Sequence, residues 1–262
     1  MYNLKKEEEQ MLRLSDLVEN PTPRVPVCLC LDTSGSMRTV ESGGYKDTGQ
    51  KKRIDGMTYR LVEGGRTRLE ELEKGLHSFF EAVRNDEDAA DAAEISLVTF
   101  DDDARAICDF ASIERQALPE HLATGNNTDL GAGLKLSLDL LEKRKSEYQD
   151  KGVDYFQPWL IVMTDGQPNG DPAILEEAVQ RICRMVEARR LTVFPIGIGR
   201  DANMEVLARI SPKRPPLYLK EMKFEDFFEW LSQSVTVVSR SIPGENISLD
   251  VSAIESWGSL YL

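Results

Sequence analysis

Apolar runs punctuate the chain at 25–31 (VPVCLCL), 94–100 (EISLVTF), 157–163 (QPWLIVM) and 191–198 (LTVFPIGI). Each has the length of a strand and is too uniformly apolar to have a wet face, which is the pattern of parallel strands buried between helices. Between the runs, apolar positions fall three and four residues apart. Leu69, Leu72, Leu76, Phe79 and Val83 make one such face, and Leu130, Leu134, Leu138 and Leu141 a second. A third helix carries Ile174, Ala178, Ile182 and Met185 and is expected to start at Asp171 and Pro172, a cap followed by a residue preset for the first turn. The last helix, with Phe224, Phe227, Phe228, Leu231, Val235 and Val238, is the most strongly patterned. This alternation predicts an α/β fold, with a doubly wound, mostly parallel central sheet of about six strands and helices on both faces.

Residues 104–110 (ARAICDF) are expected to add one antiparallel edge strand, because Asp101, Asp102 and Asp103 separate them from the preceding run as a solvated hairpin turn would. Pro195 lacks a ladder N–H, so its strand should lie near an edge or be locally bulged. Segment 38–68 is far longer than a strand–helix loop, which usually takes about 2–6 residues. It is an insertion, and MTYRLV followed by EGG suggests a β-hairpin arm. The expected organisation is a charged N-terminal extension over 1–23, the α/β domain with its insertion over 24–241, and a loosely packed C-terminal extension over 242–262.

A chain of 262 residues with 41% apolar content supports a domain-sized core. Its 45 acidic and 32 basic residues leave a formal charge of -13, which disfavours a general nucleic-acid or anionic-membrane surface. The first twenty residues, MYNLKKEEEQMLRLSDLVEN, are too charged for a signal peptide or a membrane span. Cys28, Cys30, Cys108 and Cys183 are too few for a disulfide framework, and a cytoplasmic location is expected. Cys28 and Cys30 share a strand face as a CxC pair, but buried reduced thiols account for them better than a metal site. The insertion is the basic exception, with Arg38, Lys46, Lys51, Lys52, Arg53, Arg60, Arg66 and Arg68 against Glu41, Asp47, Asp55 and Glu63. Lys51, Lys52, Arg53 and Arg60 are candidates for steering an acidic partner, and nucleic acid is disfavoured because only Tyr45 and Tyr59 accompany them as stacking platforms.

Ligands of such sheets collect outside the carboxyl ends of the strands, and those ends are polar in a matching way. The first run ends in Asp32, Ser34 and Ser36; GNNTDLGAGL places Thr128 at a helix start; IVMTDGQPNG closes a strand with Asp165. All five offer oxygen. Hydroxyls with few carboxylates suit a hard, water-retaining cation, Mg²⁺ (or Mn²⁺), better than Ca²⁺, and zinc would want nitrogen or sulfur. Helix and turn capping explains each hydroxyl alone but not their conjunction with two strand-end aspartates. The DTSG and DTG stretches mimic an aspartic-protease motif, yet the alternating helices exclude an all-β double lobe. A Mg-dependent phosphohydrolase would use Asp32 as nucleophile, but no second aspartate two residues on and no strand-end lysine support it. His77 and His121 have no serine or cysteine nucleophile signature beside them.

At these residues the chain resembles the von Willebrand factor A domain family and its metal-ion-dependent adhesion site. The family pattern Asp-x-Ser-x-Ser, distant Thr, distant Asp falls on Asp32, Ser34, Ser36, Thr128 and Asp165. The resemblance implies that the serines and threonine contact Mg²⁺, the carboxylates act directly or through water, and an Asp or Glu of a protein partner fills the open position. RVPVCLCLDTSGSM, AEISLVTFDDDA and GNNTDLGAGL further resemble the bacterial cytoplasmic branch related to tellurium-resistance proteins. That likeness implies a non-catalytic adaptor in stress response or defence, associated with a protein kinase or metal-dependent phosphatase. Similar domains also serve as substrate adaptors of AAA+ chelatase-type ATPases, and sequence does not separate the two.

Overall fold

Each apolar run forms a strand and each periodic segment a helix. The computed structural model describes residues 14–54, 57–199, 202–245, 247, 249 and 252–261. Residues 1–13 of the N-terminal extension and Asp55 of the insertion lie outside them. In chain order, β1 (Val25–Asp32) leads into the insertion, which holds β2 (Val40–Ser42), β3 (Lys46–Ile54), β4 (Met57–Glu63) and β5 (Arg66–Thr67). Next come α1 (Arg68–Asn85), α2 (Glu87–Ala92), β6 (Ala93–Phe100), β7 (Ala104–Cys108), α3 (Leu130–Lys151), β8 (Trp159–Thr164) and α4 (Pro172–Glu187). The last part comprises β9 (Thr192–Ile198), α5 (Met204–Arg209), β10 (Leu217–Leu219), α6 (Phe224–Ser239), α7 (Ile254–Trp257) and β11 (Gly258–Leu260).

The main sheet has 7 strands in the order β11-β10-β9-β8-β1-β6-β7. All neighbours are parallel except β6 with β7 and β10 with β11, so both edges are antiparallel. The sequence pattern anticipates the β7 edge and misses β10 and β11, which at three residues each are too short to show a period. Alternation along β1 divides the core: Val25, Val27, Leu29 and Leu31 pack with α1 and α6, whereas Cys28 and Cys30 pack with α3 and α4. The chain leaves β1 for β6 on one side and returns for β8 on the other, which opens a crevice at the carboxyl ends of β1 and β8.

Pro195 is neither on an edge strand nor in a bulge, since β9 pairs β8 in unbroken register with Pro195 opposite Val162. Thr192 N donates to Pro158 O on the β8 side, so by alternation the nitrogen of Pro195 faces the β10 side. There the pairing starts only at Ile196, and no ladder bond is lost.

Described residues of both extensions pack onto the domain, which for the C-terminal one departs from the expected loose packing. Residues 14–19 are helical and Leu17 is buried. In the C-terminal segment Trp257 is buried against Phe227 and Trp230, at ring separations of 5.0 and 5.4 Å, and β11 completes the sheet. An isolated tryptophan carries no period, so sequence patterning passes over it.

The insertion forms the expected arm. β3 and β4 pair as an antiparallel ribbon joined to no other described strand, and β2 with β5 makes a short ladder at its root. Gly43, Gly44, Gly64 and Gly65, all at positive φ, let the chain turn between root and ribbon. Two of its basic residues do not belong to the exposed patch: Arg38 turns in to bond Thr124, and Arg68 is 2% exposed.

Cys28 and Cys30 are fully buried and free; burial pushes the Cys28 thiol up to about 12 and that of Cys30 further. A thiol-specific reagent is therefore expected to modify no more than Cys108 and Cys183 in the native protein and all four cysteines after denaturation. Rapid native labelling of Cys28 or Cys30 would contradict the buried-thiol assignment.

Candidate metal centre

The crevice is built from the end of β1 outward. Asp32 is completely buried and accepts a hydrogen bond from Thr164 Oγ1 at 2.5 Å, across the β1–β8 seam. Its other oxygen accepts Ser34 N at 2.8 Å, which turns the backbone into a 3₁₀ turn, Gly35–Arg38. The turn brings the hydroxyls of Ser34 and Ser36 to 3.0 Å. Burial, and after it the Asp165 charge, pushes the Asp32 carboxyl up to about 6.

Asp165 follows β8 and is also fully buried. Ser36 Oγ donates to its Oδ1 at 2.5 Å, and Arg68 Nη1 to its Oδ2 at 2.7 Å. Thr128 arrives on a loop clamped to the third strand end. Its N–H donates to Asn169 Oδ1 at 2.7 Å, and its carbonyl accepts Asn169 N at 3.2 Å. Gly166 lies between the parts: a Cβ there would stand 3.5 Å from Thr128 Oγ1 and 3.6 Å from Ser36 Oγ. A side chain at 166 would thus enter the space that these two hydroxyls border.

Capping does not account for the hydroxyls. Ser34 precedes the 3₁₀ turn but makes no side-chain cap bond, and the cap of α3 is Asp129, which accepts Ala132 N at 3.0 Å. The aspartate triplet is likewise not a plain solvated turn. Asp101 is fully buried, accepts Arg105 Nη1 at 2.9 Å and Thr33 Oγ1 at 3.3 Å, and its carbonyl accepts Asp129 N at 2.9 Å. Burial raises its pKa, but Arg105 and the backbone bonds outweigh that and hold it below the ordinary carboxylate value. Asp102 accepts Asn126 N at 3.1 Å and Asn127 N at 3.0 Å. Together with Arg38, whose Nη2 donates to Thr124 Oγ1 at 2.7 Å, the triplet fastens the loop that delivers Thr128.

Asp32, Ser34, Ser36, Thr128 and Asp165 therefore converge at one crevice, whereas Lys51, Lys52, Arg53 and Arg60 lie together on the ribbon. Lys51, Lys52 and Arg53 are exposed on β3, and Arg60 stands opposite Lys51 with its guanidinium 3.6 Å from Asp47. Such an exposed pair contributes about 0–1 kcal/mol and leaves Arg60 available. His77 is exposed on α1, and His121 Nδ1 lies 3.3 Å from Glu73. Sequence patterning passed over Thr164, Asn169 and Arg68. The first two adjoin recognised motifs, but Arg68 looks like one more surface cation of a basic insertion.

The converging donors are all oxygen, and among the described residues no cluster of three or more His, Cys, Asp or Glu offers a zinc-type or carboxylate-rich alternative. Three neutral hydroxyls with two carboxylates, one of them already paired with Arg68, fit a hard divalent cation while leaving part of its charge uncompensated. Asp165 differs from Asp32 in already holding an internal cation, Arg68.

No match is found among curated proteins. Several solved structures share the fold. A von Willebrand factor type A protein from Catenulispora acidiphila is 15% identical with a TM-score of 0.53, the alignment covering 82% of this chain and 43% of that one. The PilB minor pilin from Streptococcus sanguinis is 13% identical with a TM-score of 0.53, covering 82% of this chain and 62% of that one. The vWF domain of the type V pili tip protein Mfa5 from Porphyromonas gingivalis is 12% identical with a TM-score of 0.54, covering 86% of this chain and 99% of that one. The chain thus spans less than half of the first of these proteins and nearly all of the last domain. The family profile described as von Willebrand factor type A domain matches residues 27–230, around the sheet and crevice above, and the chain belongs to that family.

Proposed function

We propose that this domain is a non-catalytic protein–protein interaction module whose binding depends on Mg²⁺ (or Mn²⁺) at a complete metal-ion-dependent adhesion site. Asp32, Ser34, Ser36, Thr128 and Asp165 would hold the ion. The observation that carries this reading is the meeting of Ser34, Ser36, Thr128 and both aspartates at one crevice, with hydroxyls that cap nothing. When bound, the ion supplies a Lewis-acid position for an Asp or Glu side chain of a partner, and neutral hydroxyls leave it attractive to that carboxylate. The chain's own part is orientation. Thr164 and Ser34 N fix Asp32, and Asn169, Asp101 and Asp102 fix the threonine loop. The non-catalytic reading draws support from the positions of His77 and His121 outside the crevice.

The ribbon extends the surface. Lys51, Lys52, Arg53 and Arg60 steer an acidic partner segment whose end contact is the carboxylate on the ion, so charge sets the association rate and metal the register. The four free cysteines support a cytoplasmic setting. Among the described residues no helix is long and apolar enough to cross a membrane. The likeness of the strand-end motifs to the tellurium-resistance-related branch makes an adaptor role beside a protein kinase or phosphatase the first partner class to test.

Partner capture on immobilised protein provides that test. Wild type is expected to retain its partner in Mg²⁺ and release it to a chelator, and Ser34→Ala to retain much less than wild type at the same Mg²⁺ concentration. Retention that is equal in all conditions would sink the reading. Reversing Lys51, Lys52 and Arg53 to glutamate should slow association by about tenfold at low salt and flatten its salt dependence, with metal affinity unchanged. An unaltered association rate would remove the ribbon from the interface.

A further inference from the structure

Arg68 is a buried cation placed where little favours it. As the first residue of α1 it sits at the positive end of a helix dipole, and it is 2% exposed. Two carboxylates hold it there: Asp165, at 2.7 Å from Nη1, and Glu41 of β2, bonded to Nη2. Burial lowers its pKa, and the bonds to Glu41 and Asp165 more than reverse that. The pocket is shaped for the guanidinium as well. Gly199 has φ 70, and a Cβ there would come within 2.7 Å of Arg68 Nη2. Glu41, Asp165 and the space left by Gly199 thus keep a positive charge on one of the five candidate metal ligands, against the helix dipole. Asp32 is treated differently: its bonds come from neutral groups, the Thr164 hydroxyl and the N–H and hydroxyl of Ser34.

We infer that Arg68 is a tethered counter-cation that competes with the divalent ion for Asp165. The inference rests on the metal-binding reading above. Two cations drawing on one buried carboxylate each weaken the other's hold, because the charge that attracts the second is already neutralised by the first. Arg68 thereby sets the metal affinity of the site below what its oxygen donors alone would give. It also ties that affinity to the insertion, since Glu41, its second partner, belongs to the β2–β5 ladder at the root of the ribbon. Glu41 stabilises the guanidinium and screens its charge, so losing Glu41 leaves Arg68 leaning harder on Asp165. The two side chains consequently act on metal binding with opposite signs, which a purely structural salt bridge would not produce.

The test is Mn²⁺ titration of the full chain, followed by calorimetry and by the paramagnetic signal of free Mn²⁺, in wild type, Arg68→Gln, Arg68→Lys and Glu41→Gln. Arg68→Gln is expected to bind Mn²⁺ at least about tenfold more tightly than wild type, Arg68→Lys within about threefold of wild type, and Glu41→Gln several-fold more weakly. If wild type binds and Arg68→Gln binds equally or more weakly, the competition is overturned while the metal reading stands. Should Arg68→Gln fail to fold, Glu41→Gln decides, and an affinity equal to or above wild type overturns the inference. Binding by Arg68→Gln alone supports it in its strongest form. Absence of binding in wild type and in all folded variants overturns both the inference and the metal reading.

Discussion

Glu94→Ala is expected to destabilise the fold by about 3–5 kcal/mol. Glu94 is 2% exposed near the start of β6 and serves three partners. Arg144 donates through Nε at 2.6 Å and Nη2 at 2.8 Å, Tyr148 OH donates at 2.6 Å, and Arg24 Nε lies at 3.2 Å. Glu94 therefore pairs with two buried guanidiniums, of which Arg144 has a second carboxylate, Glu147, at 2.7 Å. Arg24 spends its remaining donors on the carbonyls of Asp16, Asn20, Thr22 and Asp91, which tie the N-terminal helical turn to the sheet. Truncation would leave Arg24 without its Glu94 partner and Arg144 with Glu147 alone, both still charged because a guanidinium does not lose its proton in a protein. At about 2–4 °C per kcal/mol for a chain of this length, the melting temperature should fall by roughly 10 °C. Urea unfolding followed by circular dichroism measures the loss, and a shift under about 1 kcal/mol would refute it. Glu94 lies six positions along β6 from Phe100, which pairs Asp32, so it is about 20 Å from the crevice at ~3.3 Å per residue. Metal affinity of the folded fraction should accordingly stay at the wild-type value.

The reverse signature is expected of Ser34→Ala: Mg²⁺ affinity lowered by about 10–100-fold with stability almost unchanged. The Ser34 hydroxyl meets Ser36 Oγ at 3.0 Å and the Asp32 carboxyl, and it caps no turn, so its structural contribution is about 1.5 kcal/mol. A hydroxyl that served only the fold would show that small loss and no effect on metal. Thr128→Ala should behave similarly, because its backbone is held by Asn169 and not by its own side chain. Calorimetric titration with Mg²⁺, beside thermal melts in a chelator, separates the two quantities. Wild-type affinity in both variants would remove the hydroxyls from the ligand set.

These contrasting expectations follow from the geography of the sheet. The Glu94 network closes the amino ends of the central strands, where backbone and side chains are packed for stability. At the carboxyl ends, Asp32 and Asp165 are two carboxyls buried at close quarters. Each stands at the end of a buried strand, where the chain must leave the sheet and side chains are released from core packing. Burial with a like charge is an unfavourable arrangement for a fold and a useful one for a cation site.

The four buried strands, the faces of α1, α3, α4 and α6, and the five oxygen-bearing positions at strand ends were all legible in the sequence. Each rests on local chemistry: apolar runs, a 3.6-residue period, or a polar residue where a run stops. What escaped was fixed by contacts distant in sequence or by single residues. Pro195 is harmless because β10 begins pairing one residue later, β11 is recruited by Trp257 docking among aromatics, and the aspartate triplet clamps a loop some 25 residues onward. Arg68 is the sharpest case. Sequence shows it as the last of a string of basic residues, and only the fold turns it inward to meet Asp165, 97 positions away, because helix start, strand end and insertion root converge there. Charge and hydrophobic period are properties of a segment, whereas the partner of a buried charge is decided by which segments the closed sheet brings together.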